Sequence, residues 1–523
     1  MTRTIRRSVK RQVEKRHASG GGKFLPPDEV LTFTFYLRHR QPVRRRPGSA
    51  IDLAELAKRI TREDLEAERR RILKRPIEQI SRFAERQGMR LLAVDIAARR
   101  VTFAAKASDV ERVFATRLLR FDDAGVQRHH PSGKVRMPHQ LDRLVHTVVG
   151  LDTRPPRGEG LRNHAVAPGG NGLQPSQIAG LYGLTTPGRG AGQCIALIEP
   201  AGGYDRKDVE KACDAMHVPM PQMTDINVGS GHNAPGVDDR ADQEVALDIQ
   251  VVAGVAPAAR IVVYFTEGNE PGLVAGLCRA VHGPERPNVI VMTWGEPEVF
   301  WPKEARMALD VVLQDAVRLG ITVVVTAGDD LARERMSGGK VYVNYPASSP
   351  YVLGCGGTRI QLGPAQTDIV DEVVWNEQGK RGTGGGISEI YLVPAFQSGA
   401  NLPGSLNDGK PGRGVPDVAA AAAQLNGYRI FFKGAEVVMG GTSAVAPLWG
   451  GFVALLNEQR GASLGFLNDR LYQSPDLLKA ITSGDNIDVD SGLGYKAGVG
   501  WSACTGLGSP KGPAIIAALT ALA

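Results

Sequence analysis

Four short, unbroken apolar runs set the strongest limit on how this chain can fold: "CIALIE" (194–199), "RIVVYF" (260–265), "NVIVMTW" (288–294) and "ITVVVTAG" (321–328). A run without polar alternation suits a strand covered on both faces, the condition of a parallel sheet flanked by helices. Helical stretches lie between them, such as "DRKDVEKACDAMH", "ADQEVALDIQVVAGV" and "KEARMALDVVLQDAVRLG". Alternation of the two patterns predicts a doubly wound α/β domain. Such sheets open their ligand crevice past the carboxyl ends of the strands, which singles out Glu199, Trp294 and Asp329.

Upstream the pattern changes. "EVLTFTFYLR" alternates like a half-buried strand, and "RITREDLEAERRRILK" and "PIEQISRFAERQGM" are helical. "RLLAVDIAARRVTFAA" reads as a strand pair, and "SDVERVFATRL" as another helix. The β-α-β-β-α-β order predicts a ferredoxin-like unit. A Pro-, Gly- and Arg-rich stretch, "GLDTRPPRGEGLRNHAVAPGGNGLQP", follows as a linker accessible to cutting. The chain therefore divides into a basic, disordered tail (1–25), an α/β domain (26–153), a linker (154–175) and a large second domain (176–523).

Charge follows the same division. Residues 1–163 hold 37 Lys and Arg against 19 Asp and Glu, a net +18, while 164–523 hold 26 against 36, a net −10. Two units of opposite sign should attract, and acid or salt should weaken that attraction. The basic residues are mostly scattered over mixed-charge helices, so no nucleic-acid partner is expected. No apolar run approaches the roughly 18 residues of a membrane span. The N-terminal stretch "MTRTIRRSVKRQVEKRHASGGG" lacks the apolar core of a secretory signal. Five widely spaced cysteines show no CxxC spacing and read as small buried apolar residues.

The stretch "MGGTSAVAPLWGG" (439–451) places Ser443 between a Gly-Gly-Thr lead-in and a predicted helix, as either a nucleophile or a helix cap. A nucleophile needs a base, a group orienting that base and an oxyanion donor. Glu244 and Asp248 lie four apart on one face of a predicted helix, as a wet acidic edge or as a proton-sharing dyad. Asp329 directly follows a buried strand and a glycine. It is a turn or cap residue, or, if protonated, a donor to an oxyanion. The histidines of the acidic part (His164, His217, His232, His282) sit in no comparable setting.

With these residues in view, the chain resembles the sedolisins, or serine-carboxyl peptidases, and most closely their kumamolisin-like branch. The marks are "GQCIALIEPAGGYDRKD", "QEVALDIQVVAGVAPAA", "VVVTAGDD", "YPASSPYVLGCGGT", "GRGVPDVAA", "GGTSAVAPLWGG" and "GYKAGVGWSACTGLGSP", in this order from about residue 26 to the C-terminus. The resemblance implies a subtilisin-like catalytic domain preceded by an activation propeptide that inhibits the enzyme and is removed by self-cleavage at acid pH. By position, Ser443 matches the nucleophile, Glu244 the base, Asp248 the carboxylate behind it, and Asp329 the oxyanion acid. Glu199 and Trp294 match residues that extend the network of the Glu-Asp pair. The implied protein is a secreted, monomeric endopeptidase acting on protein or peptide substrates and needing no cofactor for its chemistry. A silent homologue serving as a binding or scaffold protein is the alternative.

The chain departs from the family at its calcium site. Ala480 stands where the first aspartate belongs and Ser502 where the second does, leaving the backbone carbonyls of Ile481, Gly498 and Gly500. A hard cation without anionic ligands binds poorly, so the site reads as degraded unless Asp485, Asp488 or Asp490 substitutes. "KVYVNYPASSP" is expected to line the pocket ahead of the scissile bond, with Asn344 neutral there. "VMTWGE" replaces the family's serine-rich approach to the tryptophan.

Overall fold

In the N-terminal domain, the alternation of "EVLTFTFYLR" forms strand β1 (Val30–Leu37), with Leu31, Phe33 and Phe35 buried. Helix α1 (Arg62–Arg86), β2 (Arg90–Asp95), β3 (Arg100–Lys106), α2 (Ala107–Phe114) and β4 (Val145–Val149) follow. The sheet order is β2-β3-β1-β4 with every pair antiparallel, which is the ferredoxin-like arrangement. Phe33, Phe35, Phe103 and Phe114 cluster between sheet and helices, with Phe114 edge to face on Phe33 and Phe35 at 5.8 and 6.1 Å between ring centroids. The two helical stretches of the sequence are one helix, running through Pro76. A proline there costs about 3 kcal/mol, but Leu73 before it and Ile80, Phe83 and Ala84 after it bury on the same domain core. A hairpin (Leu118–Asp123 with Val126–Pro131), paired to Lys23–Phe24, is inserted before β4 and was not legible as a pattern.

The computed structural model describes residues 23–38, 59–123, 126–154, 167–168, 172–336 and 338–521. Most of the tail expected over 1–25 and of the 154–175 linker, with His164, lies outside the described residues.

The second domain is built on the apolar runs. They form β5 (Cys194–Glu199), β7 (Arg260–Phe265), β8 (Val289–Met292) and β9 (Thr322–Thr326), joined by β6 (Met223–Asn227), β10 (Leu353–Leu362), β11 (Ile369–Val374) and β12 (Val418–Ala421). Their order is β6-β7-β5-β8-β9-β10-β11, with β12 also on β10. All pairs are parallel except the β10–β11 edge. Alternate residues of β5 serve two cores. Ile195 and Leu197 face helices α3 (Asp239–Val255) and α6 (Thr442–Arg460). Ala196 and Ile198 face α4 (Glu270–His282) and α5 (Lys303–Arg318). The chain winds one way from β5 through β6 to β7, then crosses back to β8 on the other side of β5. The crevice of such a sheet therefore opens at the end of β5, at Glu199. No described helix is long and apolar enough to cross a membrane, and all five cysteines are buried and free.

The N-terminal domain docks on α4 and α5. Asp315, fully buried on α5, receives Arg69 of α1, Arg99 at 3.4 Å and His282 at 3.1 Å. Around this pin the signs reverse, with Arg318 on Glu68 and the exposed Arg286 on Glu63. Burial pushes the Asp315 carboxyl up, but the Arg69 and Arg99 guanidiniums outweigh it and hold it well below the usual carboxylate range. A depressed carboxylate lends stability that is lost only as pH falls through its folded value. Mild acid therefore leaves this contact intact, and a buried pair is screened little by salt. The expected loosening by acid and salt does not reach the centre of the interface.

Asp315→Asn would leave two guanidiniums buried without their counter-charge. The full-length protein should lose about 3–5 kcal/mol of stability, read by denaturant unfolding at neutral pH. An unchanged midpoint would contradict the assignment.

Candidate active site

Glu199 is the last residue of β5 and is fully buried. Helix α3, capped by the Asp238 side chain on the N–H groups of Arg240 and Ala241, carries Glu244 and Asp248 across from it. Trp294, just past β8, donates its indole Nε1–H to Glu199 Oε2 at 2.8 Å. Its neighbour Thr293 donates its hydroxyl to Asp248 Oδ2 at 2.7 Å. A hydrogen bond joins the Glu199 and Asp248 carboxyls, and the Glu244 charge bears on both. Glu199 Oε1 and Asp248 Oδ1 are both buried without another partner among the described residues. One proton held between them satisfies both oxygens.

Burial pushes Glu199 up to about 8, with the Trp294 bond opposing and the Glu244 charge adding. Burial raises Asp248 well above the carboxylate range, and the charges of Glu199 and Glu244 raise it further against the Thr293 bond. The wet acidic edge is thereby ruled out for Asp248, which is 1% exposed. Glu244, nearer the helix N-terminus, is half-buried.

Ser443 is not a cap. The cap of α6 is Gly441, at φ +121°, a conformation that favours glycine. Ser443 sits buried in the first turn, where helix N–H groups point forward and the helix dipole favours negative charge. Thr442 fixes that turn. Its N–H and hydroxyl both reach Asp329 Oδ1, at 2.8 and 2.7 Å. Thr326 at the end of β9 touches the same hydroxyl. The Asp329 loop is held in turn by Gly382 N–H on the Asp329 carbonyl and Gly384 N–H on the Gly328 carbonyl. Helix α6 packs directly on α3, with Gly451 against Val255 so closely that a Cβ would lie 2.7 Å from the valine. Glu199, Glu244, Asp248 and Trp294 thus form one group, Asp329 and Ser443 a second, and the packing of α3 on α6 joins them.

Thr293 and Thr442 escaped the sequence reading. "VMTWGE" keeps a hydroxyl beside the tryptophan, which was the signal for Thr293. Nothing short of the fold marked Thr442. Two buried acids just after Asp329, Asp330 and Glu334, were also missed, and Asn344 packs beside Glu334. The described histidines of this domain serve elsewhere. His217 closes the helix Arg206–Met216, His232 bonds the Ser230 carbonyl, and His282 lies on Asp315.

The calcium positions do not assemble a cation site. Ala480 is exposed, and the Ser502 hydroxyl turns to Thr505 at 3.0 Å. Asp488 is taken by Arg333 at 3.1 Å and Asp485 by the Asn376 amide at 2.9 Å, while Asp490 faces solvent. Among the described residues no group of three or more His, Cys, Asp or Glu could hold a metal. The carbonyls at Ile481, Gly498 and Gly500 are left without an anionic ligand beside them, and this donor set does not fit calcium.

Residues 21–154 match the pro-kumamolisin activation domain and residues 225–479 match the subtilase family. The chain is 38% identical over 458 residues to kumamolisin of Bacillus sp. (strain MN-32), covering 84% of this chain and 82% of that protein. It is 28% identical over 433 residues to sedolisin of Pseudomonas sp. (strain 101), covering 77% and 72%. The solved structure of Pseudomonas sedolisin, a serine-carboxyl proteinase complexed with two molecules of pseudo-iodotyrostatin, superposes with a TM-score of 0.59 over 67% of this chain and 98% of that one.

Two outcomes follow from the site. A carboxyl whose folded value is raised binds protons that the unfolded chain has lost, so stability falls as pH rises from about 4.5 to about 8 for Glu199. Glu199→Gln should flatten that fall and raise the melting temperature at pH 7 relative to wild type. A variant that melts lower at pH 7 by as much as at pH 4 would contradict it. Calcium at saturating levels, which would add about 2.7 kcal/mol if present at a hundred times its Kd, should leave the melting temperature unchanged, and a clear rise would show a site that these residues do not build.

Proposed function

This chain belongs to the kumamolisin–sedolisin family of serine-carboxyl peptidases, and we propose that Ser443 is its nucleophile, Glu244 its base, Asp248 the carboxylate behind the base and Asp329 its oxyanion acid. The observation that carries this reading is the pair of hydrogen bonds that Thr442 donates to Asp329 Oδ1 at the head of the Ser443 helix, which itself packs on the helix of Glu244 and Asp248.

Glu244 takes the proton of the Ser443 hydroxyl as its oxygen attacks the peptide carbonyl. Asp329 Oδ1 already accepts two bonds, so a proton on this carboxyl belongs on Oδ2, from which it donates to the developing oxyanion beside the Ser443 N–H. Glu244 then passes its proton to the leaving amine and later draws one from the water that frees the acyl group. The proton held by Asp248 and Glu199 lets Glu244 change charge without leaving three anions in contact. The scheme needs Glu244 free to accept a proton while Asp329 holds one to donate.

The N-terminal domain acts as an intramolecular inhibitor. Arg154, where the linker begins, lies by Glu270 and Glu296, and Glu296 is two residues beyond Trp294. Within the linker, Ala167 and Pro168 pair with Val438 and Val437, a few residues ahead of Ser443. The 154–175 linker is therefore anchored on both sides of the site, where it can be cut. On the same reading the protein works as a monomer outside the cell, on protein or peptide substrates.

Incubated near pH 4, the protein should shed its N-terminal domain, while Ser443→Ala should stay intact at full length on a gel. Glu244→Gln should lose about four orders of magnitude or more in peptide hydrolysis, and Asp329→Ala about two to three. Processing by the Ser443→Ala protein alone would overturn the assignment.

A further inference from the structure

The segment that enters the linker is held from two sides. Within the N-terminal domain it is fastened to the inserted hairpin. Thr153 N–H donates to the His129 carbonyl at 2.9 Å, and the Thr153 hydroxyl accepts the His129 N–H at 2.9 Å. Arg128 reaches the Thr153 carbonyl at 3.2 Å. Arg154 comes next. Its guanidinium meets both oxygens of Asp152, with Nε 2.8 Å from Oδ1, and its side chain is 20% exposed. On the other side stand Glu270 and Glu296 of the second domain, whose charges bear on it.

Both glutamates lie at the rim of the crevice, and they are only 4% and 2% exposed. Glu270 opens α4 shortly past the end of β7, where Thr266 donates its N–H to the Glu199 carbonyl at 2.8 Å. Glu296 begins a two-residue strand paired with Asn344–Tyr345, in the segment expected to line the pocket ahead of the scissile bond. Glu270 Oε2 is buried and has no hydrogen-bond partner among the described residues. A bare buried oxygen of this kind is a cost that a cationic donor removes. Asp152 and Glu296 act on Glu270 with its own sign, and Arg154 with the opposite one.

We propose that Glu270 and Glu296 form an acidic subsite for an arginine or lysine side chain of the peptide substrate, on the acyl side of the scissile bond, and that Arg154 fills it in the zymogen. This rests on the peptidase role assigned to Ser443. Arg154 stands at the start of the linker, ahead of any cut within it, so a substrate residue in its place precedes the bond that is cut. Loss of the N-terminal domain removes Arg154 and Asp152 together. The two glutamates stay behind, and an incoming cation meets them without Asp152 competing for it. A guanidinium carries its donors in a fork and can reach two carboxyl groups at once. Burial, with Asp152 and Glu296, raises Glu270 to about 8 in the zymogen, and Arg154 opposes the rise. A carboxyl that holds a proton still accepts a guanidinium N–H, and the Asp152 share of the rise leaves with the N-terminal domain.

The test is kcat/KM of the processed enzyme for N-acetylated peptides that differ at one position, with arginine or glutamine set in turn at each place ahead of the bond that is cut. At one of these places arginine should be preferred by about tenfold, as a charge-assisted bond replaces a neutral one. Glu270→Gln and Glu296→Gln should each reduce that ratio to about threefold or less, and Glu270→Lys should turn it in favour of glutamate. A wild type without the arginine preference, or a preference that both glutamine variants keep, overturns the inference. So does a preference that appears only when the peptide amino terminus is free, which would make the ligand a terminal amine. If one glutamine variant does not fold, the ratio in the other decides. A wild type that cuts none of these peptides at any acid pH, or a Ser443→Ala variant that still cuts them, would instead sink the functional reading.

Discussion

Three carboxyl groups crowd together where β5 ends, and the rest of the C-terminal domain can be understood from what that crowding demands. An isolated buried carboxylate would cost far more than a fold can spare, so such groups take up protons or acquire partners. Here both occur. Trp294 and Thr293 each supply one donor, and burial and mutual charge raise both Glu199 and Asp248, which favours a proton on the pair. The crevice at the reversal of strand order brings Glu199 and Trp294 together, α3 supplies Glu244 and Asp248 from one face, and α6 brings Ser443 against α3.

The zymogen obeys a different electrostatic rule. Its central contact is a buried carboxylate between two guanidiniums, and their charges keep Asp315 ionised in acid. Cutting the linker therefore does not require the domains to separate first. The acid requirement sits at the chemistry, in the carboxyl groups that must hold protons for the serine to react.

Much of this was legible before any coordinates. The unbroken runs became four of the parallel strands because a strand covered by helices on both faces has no reason to alternate. The ferredoxin-like order followed from period alone. Strands β10 and β12 were not read as strands, since "LGCGGTRIQL" and "VAAA" offer little of the β-branched bulk that marks one. Their small residues answer to close packing instead, as at Gly357, where a Cβ would lie 2.6 Å from Ala422 and 2.9 Å from Trp375. Ser443, Glu244, Asp248 and Asp329 each allowed a plain structural alternative, and only their convergence in sequence favoured chemistry. Thr442 gave no such sign, and Thr293 only its place beside the tryptophan. Each acts through a neighbour fixed by the fold, a hydroxyl on a carboxylate, and neither period nor spacing records that.

The claim beneath all of this is that carboxyl groups, and no imidazole, hold and move the protons around Ser443. Neutron diffraction from crystals of the Ser443→Ala protein grown in acid and exchanged into heavy water tests it most directly. The account predicts deuterium between Glu199 and Asp248 and a second on Asp329 Oδ2, with no histidine in the cleft. Both carboxyl groups bare of deuterium, or a histidine ring beside residue 443, would contradict it.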